Sequence, residues 1–242
     1  MTKQPETAQK EPLNKYGYNT IARNTSIVVI TALPLFLVAG TWSWDWAWIY
    51  AAASLIGWTA LNIYVARTNP GLFNERGKPT KAITSGAKKW DMVIVTIYTL
   101  MLFIVPIVAG LDYRNQWSGE TSLIVRLLGI ALLMIGFVPL AWGMASNRFF
   151  APTVKIDTEG GHHVADQGAY RYVRHPGYLG VILHFLAVPF VLGTWAALIP
   201  AVFAAGLFVV RTALEDRTLQ AELPGYREFA QRTRYRLLPG VW

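Results

Sequence analysis

RYVRHPGYLGVILHFLAVPFVLGTWAALIPAVFAAGLFVVRTALED, residues 171–216, is the stretch whose reading decides the fold. From Tyr178 to Val210 it is almost wholly apolar. As one helix that run would be on the order of 50 Å long at about 1.5 Å per residue. The hydrocarbon core of a bilayer is only about 30 Å thick. Pro189, Gly193 and Pro200 supply breaks, so the run reads as a helical hairpin turning near Gly193-Thr194-Trp195. Pro176 sits where a helix begins, because its fixed φ suits the first turn and its missing N–H is not needed there. Arg174-His175 before the hairpin and Glu215-Asp216 after it are then brought to the same end.

Outward from the hairpin, four more stretches are long and apolar enough to cross a membrane: about 26–42, 46–66, 90–111 and 122–144. The expected architecture is an all-α integral membrane protein with about six membrane segments, the last two a hairpin. It divides into a polar segment 1–24, four transmembrane helices over 25–144, and a C-terminal part over 145–242. Composition agrees. The 242 residues are 53% hydrophobic and 15% charged, against about 45–50% and about 25% in an average soluble domain.

The net charge is +8, from 22 Lys+Arg against 14 Asp+Glu. In a soluble chain that would suggest nucleic acid; here its placement explains it. Lys3, Lys10, Lys15 and Arg23 precede the first span, and Arg67, Arg76, Lys78, Lys81, Lys88 and Lys89 fill the loop after the second. The intervening short loops carry Asp45, Asp112, Arg114 and Glu120. The positive-inside rule puts the N- and C-termini in the cytoplasm. Trp42, Trp44, Trp46 and Trp48 straddle the first outer turn, as an aromatic belt does. The first 24 residues lack an apolar h-region and read as a retained polar segment rather than a signal peptide. No cysteine is present, which excludes disulfides, thiolate metal sites and a Cys nucleophile.

Polar residues gather in two late segments, 147–180 and 211–242, which the hairpin joins. A composite site at the membrane–cytosol boundary follows from that topology. Thr153-Val154-Lys155-Ile156 alternates as a short strand or extended stretch, Glu159-Gly160-Gly161 reads as a turn, Pro224-Gly225 ends a helix, and 226–233 suits another short one. Arg211 and Glu215 are four apart and share a helix face. A Rossmann-type cofactor domain would show a strand and a GxGxxG turn, which is missing. Adjacent His162-His163 would point apart on an extended chain, which argues against a multi-histidine metal site.

Arg174-His175-Pro176-x-Tyr178-x-Gly180 ahead of a hairpin, Glu215-Asp216 after it, then Tyr226 and Arg236-x-x-Pro239, resembles the isoprenylcysteine carboxyl methyltransferase-like family, related to the phospholipid N-methyltransferases. The resemblance is close over about 145–242 and extends to hydropathy alone in spans one to four. It departs in having Asp216 where a second Glu is usual, and Phe229 where a second tail aromatic is often Tyr. It implies an integral membrane methyltransferase that uses S-adenosylmethionine and releases S-adenosylhomocysteine, with no metal. Its cofactor-binding part would be cytoplasmic. The resemblance implies cofactor-binding roles for Arg174, His175, Pro176, Tyr178, Gly180, Glu215, Asp216, Tyr170 and Tyr226. Carboxylates at Glu215 or Asp216 suit an amino group or ribose hydroxyls, and His175 with the helix start near Tyr178 suits a carboxylate.

Catalytic roles fall to Arg236, Glu215 and Arg211. Arg236 or Arg211 would orient an acceptor carboxylate, and Glu215 or His175 would act as base for a thiol or amine. The acceptor is expected to be lipophilic, a prenylcysteine-like carboxylate or another lipid-linked molecule entering from the bilayer among membrane lipids. The rival enzyme is a nicotinamide-dependent sterol or enone reductase of related helical core, whose motif usually carries Asn where Pro176 stands. A non-enzymatic scaffold or small transporter would place polar residues at mid-membrane depth, and here they gather at one face.

Overall fold

The computed structural model describes residues 11–79, 84–158 and 161–242. Residues 1–10, Lys81 and the Glu159-Gly160 part of the expected turn lie outside them. Eight α-helices make up the described chain: α1 Lys15–Ala39, α2 Asp45–Thr68, α3 Pro70–Arg76, α4 Lys89–Asn115, α5 Leu123–Ser146, α6 Pro176–Leu192, α7 Leu198–Glu222 and α8 Tyr226–Arg232. Single 3-10 turns cover Gly168–Arg171 and Trp195–Ala197. Five helical segments have the length and hydropathy of a membrane span: α1, α2, α4, α5 and Trp195–Glu222. The apolar α6 has 17 residues, about 26 Å at helical rise.

The hairpin turns where the sequence places it. Gly193 closes α6 in the left-handed region, φ 68°, and its N–H donates to the Pro189 carbonyl. A side chain there is strained. At the other end of the molecule α1 starts well before its apolar run. The Asn14 side chain accepts from the N–H groups of Tyr16 and Gly17, a strong N-cap, so residues 15–24 of the expected polar segment are the first turns of a helix. Those turns pack on α3 through a Thr20 hydroxyl that donates to the Phe73 carbonyl at 2.8 Å.

The closest helix pair is α5 against α6, and three glycines seven residues apart make it possible. Gly129 faces the backbone of Phe190 and Val191, Gly136 faces Gly180 and Leu183, and Gly143 faces Pro176 and Gly177. A Cβ on Gly180 would come within 2.5 Å of the Gly136 carbonyl oxygen. The role of Gly180 is therefore helix–helix contact of the small-residue kind found in membranes.

No strand forms among the described residues. Thr153–Ile156 is irregular because its backbone bonds are taken by α4. The Val154 N–H donates to the Asp91 carboxylate at 2.6 Å, and the Lys88 N–H donates to the Val154 carbonyl at 2.9 Å. The C-terminal tail docks on the motif in the same way: the Arg174 N–H donates to the Tyr235 carbonyl and the His175 N–H to the Arg236 carbonyl, both at 2.9 Å.

Candidate active site

Two cavities meet at the start of α6. The first is a polar cleft of about 740 Å³, counted with its open mouth, between the 147–165 loop, the start of α6, the end of α7 and α8. Tyr170, Arg174, His175, Tyr178, Glu215 and Tyr226 all line it. The second is a largely apolar cavity of about 1580 Å³, likewise counted with its open mouth, lined by α1, α2, the end of α3, α4, α5, α6 and α7. Tyr178, Gly180 and Arg211 belong to its wall. Phe150, Ala151, Gly177 and Tyr178 line both.

The neighbouring acids of α7 do different work. Glu215 faces the cleft and accepts the Tyr178 hydroxyl. Asp216 is fully buried and lines neither cavity. Its carboxylate accepts two bonds from Arg174, at 2.7 and 3.0 Å. It takes one more each from Arg236 at 3.0 Å, Tyr226 at 3.0 Å and Gln220 at 2.9 Å. Arg174 also donates to the carbonyls of Thr233 and Arg234 at 2.7 and 2.8 Å. The Arg174–Asp216 pair thus clamps the tail to the motif, and its donors and acceptors are spent inside the protein. Pro176 likewise lines neither cavity; it starts α6 and packs on Gly143.

Arg236 stands apart from both cavities. It lines a shallow depression with Gln220 and Trp242, its guanidinium 4.9 Å from the Trp242 ring centre. Arg211 does not pair with Glu215 one turn on, as the spacing invites. It pairs with buried Asp91 of α4, at 2.7 and 3.1 Å, and donates to the Pro152 carbonyl at 2.8 Å. The cation also lies 4.9 Å from the Tyr178 ring. His175 stacks on that ring from another side, centroids 5.6 Å apart and planes within 8°.

Burial is the main force on the cleft's phenols. It pushes the Tyr170 and Tyr226 hydroxyls well above the usual phenol range, with Asp216 and then Glu215 adding to the effect at Tyr226. Both remain protonated donors at neutral pH. His162 stacks on Phe149 at 4.6 Å, while His163 meets the same ring edge-on. Burial, then the neighbouring His163, holds His162 below the ordinary imidazole value.

The geometry bears directly on family. Residues 128–221 match the model of the isoprenylcysteine carboxyl methyltransferase (ICMT) family. Over that segment the chain is similar to the ICMT family. The chain is also 26% identical over 169 residues to the uncharacterized protein YpbQ of Bacillus subtilis (strain 168), covering 69% of this chain and 94% of the relative. The ICMT segment holds the glycine stripe of α5, the 174–180 motif, the hairpin and both acids of α7. The match falls on the same residues that carry the motif resemblance.

Several residues in or behind the walls escaped the sequence reading. Asp91, the buried partner of Arg211, was not singled out at all. Arg76 looked like a topology signal, yet it lines the apolar cavity and donates to the Phe150 carbonyl at 3.0 Å. Asn147, which donates to the Tyr170 hydroxyl at 3.2 Å, lay at a helix end with no motif around it.

Proposed function

We propose that the polar cleft binds S-adenosylmethionine and that the apolar cavity binds a lipophilic acceptor, with transfer across Tyr178. The observation that carries this is the shared wall. A polar site and a greasy one open on opposite sides of the same four residues, Phe150, Ala151, Gly177 and Tyr178.

The donors and acceptors in the cleft suit the cofactor. Glu215 supplies a carboxylate for its ammonium group or ribose hydroxyls. The N-terminal end of α6 at His175 and Gly177 carries partial positive charge for its carboxylate. Phe149 and His162 offer flat faces for a purine. Tyr178 and Glu215 give the π-face and negative charge that attract a sulfonium. When bound, the cofactor supplies an electrophilic methyl group.

The chain's own contribution is positioning and the exclusion of water. Arg174 and Asp216 lock the tail to the motif behind the cleft. Tyr178 is held from three sides, by Glu215, Arg211 and His175, so its ring has one place at the junction. An ionised acceptor carboxylate needs no general base. The acceptor is a lipid-like carboxylate, with the termini and the cleft on the cytoplasmic side.

The test is calorimetric titration of detergent-purified protein with S-adenosylhomocysteine and, separately, with NADPH. Micromolar binding of S-adenosylhomocysteine that Glu215→Gln weakens supports the reading. Binding of NADPH alone by folded protein would transfer the fold to the reductase reading.

A further inference from the structure

The apolar cavity is not apolar at every end. Arg211 and Arg76 line it, and Arg23 stands exposed at its rim. Arg211 is neutralised by Asp91. Among the described residues, neither Arg76 nor Arg23 has a carboxylate at ion-pair distance. Arg76 donates one bond, to the Phe150 carbonyl, and its guanidinium lies 5.8 Å from the Phe150 ring centre. Its Nε–H is buried with no hydrogen-bond partner. Arg23 donates to the Arg76 carbonyl at 2.9 Å, which brings a second cation alongside.

A buried donor without a partner is costly, and an unpaired cation beside other cations more so. Burial first, and Arg23 and Arg211 after it, hold the Arg76 guanidinium down to about 10; it is still charged at neutral pH. Such a site is completed by an anion that brings its own acceptors. Below it the wall turns greasy: along α6 from Tyr178 to Val188 the cavity runs about 15 Å, faced by Met101, Leu102 and Val105 of α4.

Resting on the methyltransferase reading for the identity of the site, we propose that Arg76, with Arg23 at the rim, is the specificity-determining residue that holds an anionic headgroup of the acceptor while its apolar chain fills the cavity. A planar carboxylate takes the fork of a guanidinium by paired hydrogen bonds. Arg76 lies outside the segment that matches the ICMT family, so this recognition belongs to the chain's own loop between α2 and α4.

The experiment measures binding of radiolabelled dodecanoate and dodecan-1-ol, which share a tail and differ in headgroup charge, to protein in phosphatidylcholine nanodiscs. Wild type is expected to prefer the carboxylate by at least about tenfold. Arg76→Gln is expected to lose that preference while its affinity for S-adenosylhomocysteine stays unchanged, and Arg76→Lys to keep part of it. No preference in wild type, or the same preference in Arg76→Gln, overturns the proposal. A dodecanoate with a photoreactive tail end, used on wild type, needs no variant: labelling at the Val105 and Val188 end supports the orientation, and labelling elsewhere refutes it. The S-adenosylhomocysteine arm is read separately. Its failure would sink the methyltransferase reading while leaving the carboxylate preference measurable.

Discussion

Substituting the two neighbouring acids of α7 should give opposite phenotypes. Asp216→Asn keeps shape and removes charge. The Arg174 guanidinium is then buried without a counter-ion, with Arg236 beside it. Leaving one partner of a buried ion pair uncompensated costs about 3–5 kcal/mol. For a chain of this size each kcal/mol lowers Tm by about 2–4 °C, so the expected drop is on the order of 6–20 °C. Because Arg174 also holds the carbonyls of Thr233 and Arg234, the tail should loosen first, and limited proteolysis should cut after residue 222. Glu215→Gln is the counterpart. Its side chain still accepts the Tyr178 hydroxyl, so Tm should move by no more than about 2 °C. Affinity for S-adenosylhomocysteine should fall by about tenfold or more, the loss of one charge-assisted bond. Thermal unfolding in detergent and calorimetry on the same preparations measure both quantities. An Asp216→Asn protein with wild-type Tm and no cofactor binding would show that Asp216 faces the ligand, and the assignment of roles argued from its five donors would be wrong.

Three further outcomes are expected. Gly180→Leu sets a side chain against the Gly136 carbonyl and Leu140; overpacking of this kind costs about 1–3 kcal/mol, read as a lowered Tm, and an unchanged Tm would mean that α5 and α6 are not in contact there. Arg236→Ala removes one partly exposed bond to Asp216 and should cost about 1 kcal/mol with KM for the acceptor unchanged; a rise in KM would return Arg236 to an acceptor role. His162 is held below its ordinary value, so the folded protein binds that proton less well than the unfolded chain. Its contribution is complete above about pH 6.5 and is lost as pH falls from there toward the depressed folded value. Tm should therefore fall less between pH 7.5 and 5.5 in His162→Phe than in wild type, and equal slopes would refute the assignment.

What was legible in the sequence was what composition and local chemistry determine. Span-length apolar runs, the Gly193 turn and the Pro176 start each follow from one residue type or from length. Six of the named site residues line one cleft because the motif and the acids flank the same hairpin. What was not legible depends on partners distant in the chain. Arg211 prefers Asp91 to Glu215 because Asp91 lies buried across from it on α4, a contact that i,i+4 spacing cannot reveal. The same blindness made Asp216 and Glu215 look interchangeable, although successive helix positions point about 100° apart and so into different surroundings. The seven-residue spacing of Gly129, Gly136 and Gly143 was visible and would have announced the α5–α6 contact. Asn14 was visible too, and as an N-cap it marks where α1 begins.

The cleft lies almost wholly within the ICMT match, whereas the apolar cavity straddles its boundary. The cleft is built from 147–165, the 174–180 motif and the end of α7, nearly all inside residues 128–221, with Leu223, Tyr226 and Phe229 just beyond. The apolar cavity shares α5, α6 and α7 with that segment and draws its remaining walls, with Arg23, Arg76 and Tyr98, from α1 to α4 outside it. On the methyltransferase reading proposed above, cofactor chemistry is the same for any acceptor, and the residues proposed to serve it fall within the matched segment. Acceptor recognition has to differ wherever the acceptor differs, and on the same reading it draws on α1 to α4, whose resemblance is confined to hydropathy, as well as on α5 to α7. Transplanting α1 to α4 from a protein that matches the same family model should therefore change which lipid is bound and leave S-adenosylhomocysteine affinity as it was. Loss of both together would mean that the wall at Tyr178 couples the two sites more tightly than their shared residues imply.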